Sequence, residues 1–275
     1  PPCVNTIIKK KIKKVYFSVF DEDKRSKYLS VKKFKSNNIK VRPNIFKSYG
    51  KNFYKSYFYK KNNFLPFVDA KLAISKDYYT KNRYKKWITN KHSRKRAHLI
   101  RSYYDCIIST SKTINDDNSF LDCRIKGLEK KSPSIIIIDR KLNIKKNLKI
   151  LKKVKNRRLF IFTENPNKSK KKYFETRGIK IILFKKMKTL NDFKNILLSA
   201  RKLGFSRILI ERGLPFVNFL SKGKFLENLY IFKTNHNLKN KGINYSSPKI
   251  IKGLNFKNKI KVNLFDDSLF KIRLK

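Results

Sequence analysis

The chain has 275 residues, with 71 Lys or Arg against 18 Asp or Glu and a formal net charge of +53. Hydrophobic residues at 40% and aromatic residues at 13% supply one large core or two modest ones, which excludes a wholly disordered chain. Eight Gly and eight Pro exclude a linker-rich or collagen-like chain, and three Cys (Cys3, Cys106, Cys123) cannot build a disulfide framework.

The charge does not decide the function. A field of this sign attracts phosphate polymers. The Lys is nevertheless spread along the whole chain among Asn, Ile, Phe and Tyr, the residues of A/T-rich codons. A composition-biased genome accounts for this better than selected polyanion binding, so nucleic acid is not the expected partner. No apolar run approaches the roughly 18–20 residues of a membrane span, and the run 135–138 has strand length. No secretory leader is read, and the Cys usage points to a reducing, cytoplasmic compartment. The chain opens at Pro1 without Met, as a fragment or processed product would.

In chain order, residues 4–11 fit a helix, 15–20 a β-rich strand, 27–37 a helix, 39–41 a strand and 49–61 an aromatic, basic helix. Asn62-Asn63 breaks the pattern, which places a domain boundary between 62 and 63. Strands then follow at 67–74, 106–109, 135–139, 159–163, 179–184, 207–211 and 229–234. Helical patterns lie at 90–102 and 191–203, the second closed by Gly204 as C′ residue, and a short one follows Pro215. The tail from 243 reads as further strands. Buried β-rich runs separated by helices predict an α/β sheet covered on both faces. Cys106, inside an apolar run, reads as core, and Cys123 carries no ligand signal.

Several stretches, taken in order, resemble the bifunctional riboflavin biosynthesis deaminase/reductase family. They are Pro1-Pro2-Cys3-Val4-Asn5-Thr6-Ile7-Ile8, then Pro66-Phe67-Val68-Asp69-Ala70-Lys71-Leu72-Ala73-Ile74-Ser75, and Trp87-Ile88-Thr89 with Arg101. Thr113 through Asp116-Asp117 to Arg124, Ile137-Ile138-Asp139 and Ile210-Glu211-Arg212-Gly213 complete the series. The resemblance covers most of residues 1–235. It implies the remnant of a cytidine-deaminase-like α/β domain over residues 1–62, then a dihydrofolate-reductase-like, NADPH-dependent reductase domain over residues 63–275. The implied substrate is an aminouracil carrying a ribose 5-phosphate. A homo-oligomer is compatible with this reading.

Site residues follow from the same register. Cys3 matches the last zinc ligand of the deaminase, but one thiolate cannot hold a zinc, so zinc and deamination are expected only of a complete protein. Arg101 and Arg124 match substrate-binding arginines, whose planar guanidinium suits a phosphate. Lys85 stands where a substrate-binding Ser is common, and Leu121 matches a backbone contact to substrate. Ala73, Trp87 (the only Trp), Thr113, Asp117, Gly213, Leu214 and Pro215 match cofactor-contacting positions, the last three at a helix start whose N–H groups can bind phosphate. Lys71, in mid-strand, needs a partner unless it faces outward. Glu211 at a strand end matches a substrate contact, and both are expected beside the reacting sugar.

The chain also departs from the family. Its Ser-Leu-Asp-Gly turn is here Ser75-Lys76-Asp77-Tyr78, and the loop to Trp87 is slightly short. Two alternatives stay open: a polyanion-binding protein that kept the fold, and a pteridine or dihydrofolate reductase, against which the arginine pair argues.

Overall fold

Runs such as Ile135–Ile138 have no polar face to offer water, so they form stable strands only where both faces of a sheet are covered. The structure, a computed structural model, describes residues 3–21, 23, 28–57, 64–164 and 167–275, the side chains of 52 and 153–156 apart. It divides into two units, Pro1–Phe64 and Leu65–Lys275. Twelve strands lie among the described residues: β1 (Lys14–Tyr16), β2 (Lys40–Arg42), β3 (Phe67–Ile74), β4 (Lys81–Asn82), β5 (Cys106–Thr110), β6 (Ser134–Ile138), β7 (Leu159–Thr163), β8 (Lys180–Leu183), β9 (Arg207–Ile210), β10 (Asn228–Thr234), β11 (Gly242–Ile243) and β12 (Asp267–Arg273).

The first unit holds the helices Cys3–Lys9, Leu29–Ser36 and Lys47–Phe53 and a parallel β1–β2 pair in the register Val15↔Val41. Phe34 and Ile39 are the buried apolar residues among its described residues. The strand expected at 15–20 stops at Tyr16, because β2 offers only a three-residue partner. The parts of the expected helices at 27 and 58–61 lie outside the described residues.

In the second unit eight strands form one sheet in the order β12-β10-β3-β9-β5-β6-β7-β8. All neighbours pair in parallel except β12, which runs antiparallel to β10. This is the expected α/β architecture. On one face Val68, Ala70, Ile108, Ile136 and Ile210 pack under the helices Leu190–Lys202 and Leu214–Lys222. On the other, Ile107, Ile135, Ile137, Leu209 and Phe232 meet the helix residues Ile100, Ile114 and Phe174. Burying this much apolar surface is the main favourable contribution, at about 25 cal/mol per Å² removed from water.

Local signals set the ends of elements. Thr189 and Asp192 form a reciprocal capping box at the start of Leu190–Lys202, and Gly204 follows its end at φ +95°. Three helices were not foreseen: Ser111–Asp117, Lys168–Glu175 and, in the tail read as strands, Lys249–Lys252. Each buries a single residue, Ile114, Phe174 or Ile251, so none leaves an apolar stripe in the sequence. Tyr78 adopts φ +67°, a left-handed conformation that glycine takes freely and a residue with a Cβ takes at a cost. The Tyr78 ring packs near Phe256 and under the Lys233 ammonium, which offsets part of that strain.

Candidate active site

The site begins at the carboxyl ends of β3, β9 and β5, where the chain order along the sheet reverses direction. Glu211 directly follows β9. Its N–H donates to the Ile108 carbonyl (3.1 Å), and Ser109 Oγ donates to its carbonyl (2.8 Å), so two bonds to β5 fix its backbone. Arg101 closes the helix Lys91–Arg101. That helix is anchored at its start by Asn90, whose side chain accepts from the His92 and Ser93 N–H groups. Ser93 Oγ in turn donates to Asp267 (2.6 Å), and Asn90 N–H donates to the same carboxylate (2.9 Å). A helix tied down at one end delivers its far end reproducibly.

Arg101 meets Glu211 in a two-pronged bond, Nε to Oε1 at 2.5 Å and Nη2 to Oε2 at 3.0 Å. Lys71 Nζ lies 3.3 Å from Glu211 Oε2. The alternative of an outward Lys71 is therefore set aside: β3 is an interior strand, and the ammonium has its carboxylate. Burial would raise the Glu211 carboxyl, but Arg101 and Lys71 overcome it and hold it down at about 2. Glu211 is thus a carboxylate at neutral pH, able to accept hydrogen bonds and unable to give a proton.

The two arginines expected to share a phosphate are placed differently. Arg101, 12% exposed, is committed inward, with Nη1 also donating to the Asp122 carbonyl (3.0 Å). Arg124, 61% exposed, reaches outward from an ion pair with Asp122 (3.2 Å) and keeps donors for a ligand. Asp122, which the sequence reading passed over, joins the two through its carbonyl and its carboxylate. His98 Nδ1 also lies 2.7 Å from that carbonyl; burial and the Arg101 charge lower its pKa.

The loop carrying Leu121 and Asp122 is held from beneath by Arg157, likewise unforeseen. Arg157 donates to the carbonyls of Phe120, Leu121 (3.0 Å) and Pro133 (3.3 Å). Burial pushes its pKa down to about 10. Leu121 sits at φ +50° with its side chain in the core and its carbonyl taken by Arg157. No spacing marks Arg157 in the sequence, where it is one base among 71.

A second group lines the rim. Lys86 Nζ donates to the Asp117 carbonyl (2.9 Å) and lies over the Trp87 ring, which Arg94 also approaches. Burial raises the pKa of the Asp117 carboxyl, and the charges of Lys86, Lys71 and Lys81 offset part of that rise. Thr113 Oγ1 lies 3.4 Å from Thr110 Oγ1 at the end of β5. Ala73 follows Lys71 on the same face of β3, paired with Phe232. Lys85 is exposed, and its N–H donates to the Asn82 side chain (3.0 Å).

Gly213 caps the helix Leu214–Lys222 at φ −63°, an ordinary conformation, and an added Cβ would meet only Pro215 Cδ at 3.8 Å. The chain itself does not require glycine there, and the space outside is open to a ligand's close approach. Leu214 is wholly in the core, so only its backbone can face that space, while Pro215 is exposed. Cys3 is exposed in the other unit, and no group of three or more His, Cys, Asp or Glu that could hold a metal occurs among the described residues. None of their helices is long and apolar enough to cross a membrane.

The RibD C-terminal domain family matches residues 66–233. The chain is 26% identical over 235 residues to the riboflavin biosynthesis protein RibD of Aquifex aeolicus, covering 84% of this chain and 64% of that protein. It therefore spans less than two thirds of that relative's length. It is also 29% identical over 189 residues to the 5-amino-6-(5-phosphoribosylamino)uracil reductase of Buchnera aphidicola, covering 63% of this chain and 88% of that protein. Among solved structures, it shares the fold of the diaminohydroxyphosphoribosylaminopyrimidine deaminase/5-amino-6-(5-phosphoribosylamino)uracil reductase of Thermotoga maritima. There the TM-score is 0.77 at 21% identity, over 99% of this chain and 74% of that one.

Proposed function

The chain belongs to the RibD C-terminal domain family, and from that premise we propose that its larger unit is an NADPH-dependent reductase of riboflavin biosynthesis. Its substrate would be 5-amino-6-(5-phosphoribosylamino)uracil and its product 5-amino-6-(5-phosphoribitylamino)uracil. The observation that carries this reading is the Arg101–Glu211–Lys71 cluster at the strand ends, a fixed polar floor beneath an open helix start.

Bound NADPH supplies the hydride that converts the sugar C1 into the ribityl carbon. The residues at hand fit that group: open space over Gly213, the rim ring of Trp87, and Thr113 and Asp117 on the helix after β5. The chain's own contribution is to bind and orient. Arg124 would take the substrate phosphate. Glu211, ionised throughout, would accept from sugar or base donors. Opening of the ribose ring leaves charge on the ring oxygen, and the N–H groups of Lys71, held by Glu211, would stabilise it. Positioning of this kind supplies much of the rate.

We place deamination of 2,5-diamino-6-(5-phosphoribosylamino)pyrimidin-4-one, and its zinc, in a longer protein, with residues 1–62 as the deaminase remnant and Cys3 as one ligand. The test is loss of nicotinamide absorbance with the phosphoribosylaminouracil as substrate. Substrate-dependent NADPH oxidation is expected. Its absence from folded protein, beside an active full-length relative, rejects the proposal. Salt-sensitive RNA binding without any response to NADPH would instead favour the polyanion-binding alternative.

A further inference from the structure

The smaller unit carries a polar sheet face that the reductase site does not use. Alternate residues of a strand share a face, so Lys14 and Tyr16 of β1 leave the sheet on one side and Val15 on the other. β2 repeats the pattern in register, with Lys40 opposite Lys14, Val41 opposite Val15 and Arg42 opposite Tyr16. The two valines are half-buried, whereas Lys14, Tyr16, Lys40 and Arg42 are exposed. These four side chains line one pocket of about 90 Å³, so they face a common space.

Neighbouring strands lie about 4.8 Å apart, which holds the Lys14 and Lys40 chains side by side. No carboxylate is among the four lining residues. The three cations repel one another, and an anion entering the pocket relieves that repulsion. An apolar element laid on this face would instead strip water from three charges and give nothing back. Tyr16 adds a ring, 55% exposed, to the same space. Negative charge beside a flat ring is the chemistry of a nucleotide unit, its phosphate on the cations and its base on the phenol. Stacking requires a base whose face is free, which selects single strands.

Other rings of this unit also stand in water. Tyr49 and Phe53, one turn apart on the helix Lys47–Phe53 with Lys51 between them, are both exposed. Lys is spread over the whole chain, but here it is accompanied by exposed rings, the combination that single-strand binders use.

We infer that the unit Pro1–Phe64 binds single-stranded nucleic acid, with the pocket of Lys14, Tyr16, Lys40 and Arg42 taking one nucleotide. The phosphate meets the cations and the base lies against Tyr16. This activity is separate from the reductase reading, and either can fail while the other holds.

The experiment follows fluorescence anisotropy of short labelled single strands, RNA and DNA, and of a duplex, with the full chain over a salt series. The proteins are the wild type, K14A/K40A/R42A, Y16A, Y16F and a charge-matched control, K257A/K259A/K261A, altered at exposed positions of the other unit. K14A/K40A/R42A should lose roughly tenfold or more in single-strand affinity. It should also flatten the dependence of log K on log salt by at least about 0.7, the share of one phosphate contact. Y16A should weaken single-strand binding roughly fivefold or more, with duplex binding and salt slope unchanged, and Y16F should keep wild-type affinity, since stacking needs the ring. All four positions are exposed, so the core is untouched.

An equal loss in the charge-matched control reveals only the general positive field and overturns the inference. So does a Y16A variant that binds single strands as well as wild type, or one that loses duplex binding equally. Full displacement of the strand by inorganic phosphate at matched phosphate concentration makes the pocket a simple anion site and overturns it too. Self-association that K14A/K40A/R42A abolishes, without any strand bound by wild type, makes the face an interface between copies. NADPH oxidation, measured separately, decides the reductase reading alone.

Discussion

At the floor of the site, Glu211, Arg101 and Lys71 hold one another in a region nearly closed to solvent, whereas Arg124, Trp87 and Asp117 at the lip stand largely in water. Burying three charges is costly, and the cost is met only while every member is present. At the lip, each contact contributes little until a ligand excludes water from it. The floor is therefore preorganised before substrate arrives, and the lip acquires its strength from the ligand.

Glu211→Gln tests this contrast most severely. It leaves two buried cations without their carboxylate, and breaking such a pair costs about 3–5 kcal/mol. Denaturant unfolding should show that loss, and kcat/KM should fall by roughly a hundredfold or more.

The pH dependence of stability comes next. The folded Glu211 carboxyl, at about 2, lies below its ordinary 4.5, so its contribution is fully present above about pH 4.5 and is lost as pH falls through about 2. Wild-type stability should decline across that window, and the decline should be shallower in the Glu211→Gln variant. An acid limb of kcat/KM near pH 4.5 that vanishes in this variant would contradict an always-ionised Glu211.

Arg157→Ala stands between floor and lip. Freeing three carbonyls should cost about 1–3 kcal/mol and loosen the loop of Asp122 and Arg124. Substrate KM is expected to rise several-fold with kcat less affected, and Arg157→Lys should recover part of the KM. Equal falls in kcat and kcat/KM would assign Arg157 a different role.

Arg124→Ala should disturb the fold least, with unfolding free energy within about 0.5 kcal/mol of wild type. Its KM for the phosphorylated substrate should rise roughly tenfold to a hundredfold, since a charge-assisted bond to phosphate is lost. An unchanged KM would remove Arg124 from the phosphate site.

Much of the sheet was legible in the sequence. The runs at 67–74 and 159–163 became strands with those same limits, because runs dominated by apolar, β-branched and aromatic residues settle as interior strands, even with Asp69 and Lys71 within the first. The helices near 90–102 and 191–203 were read from their patterns, the second also from Gly204 after its end, while the caps at Asn90 and Thr189 came only with the structure. The helices Ser111–Asp117 and Lys168–Glu175 were not marked, since a single buried residue makes no period. Among site residues, Glu211 and Lys71 stood out as charges at or within apolar runs. Asp122 and Arg157 lie in loops where nothing in their neighbours distinguishes them.

By itself, then, the sequence determined which segments must be buried, where helices cap, and that charges interrupt apolar strands at Lys71 and Glu211; these are local properties of side-chain chemistry. Tertiary structure alone decided that Arg101 turns inward to Glu211 while Arg124 faces out. It also decided that Arg157 supports the loop of Asp122 and that Tyr245 meets Lys81. Such pairings join groups far apart in the chain. Hydrogen bonds and ion pairs depend on distances of a few ångströms, which only the packed sheet and its helices fix.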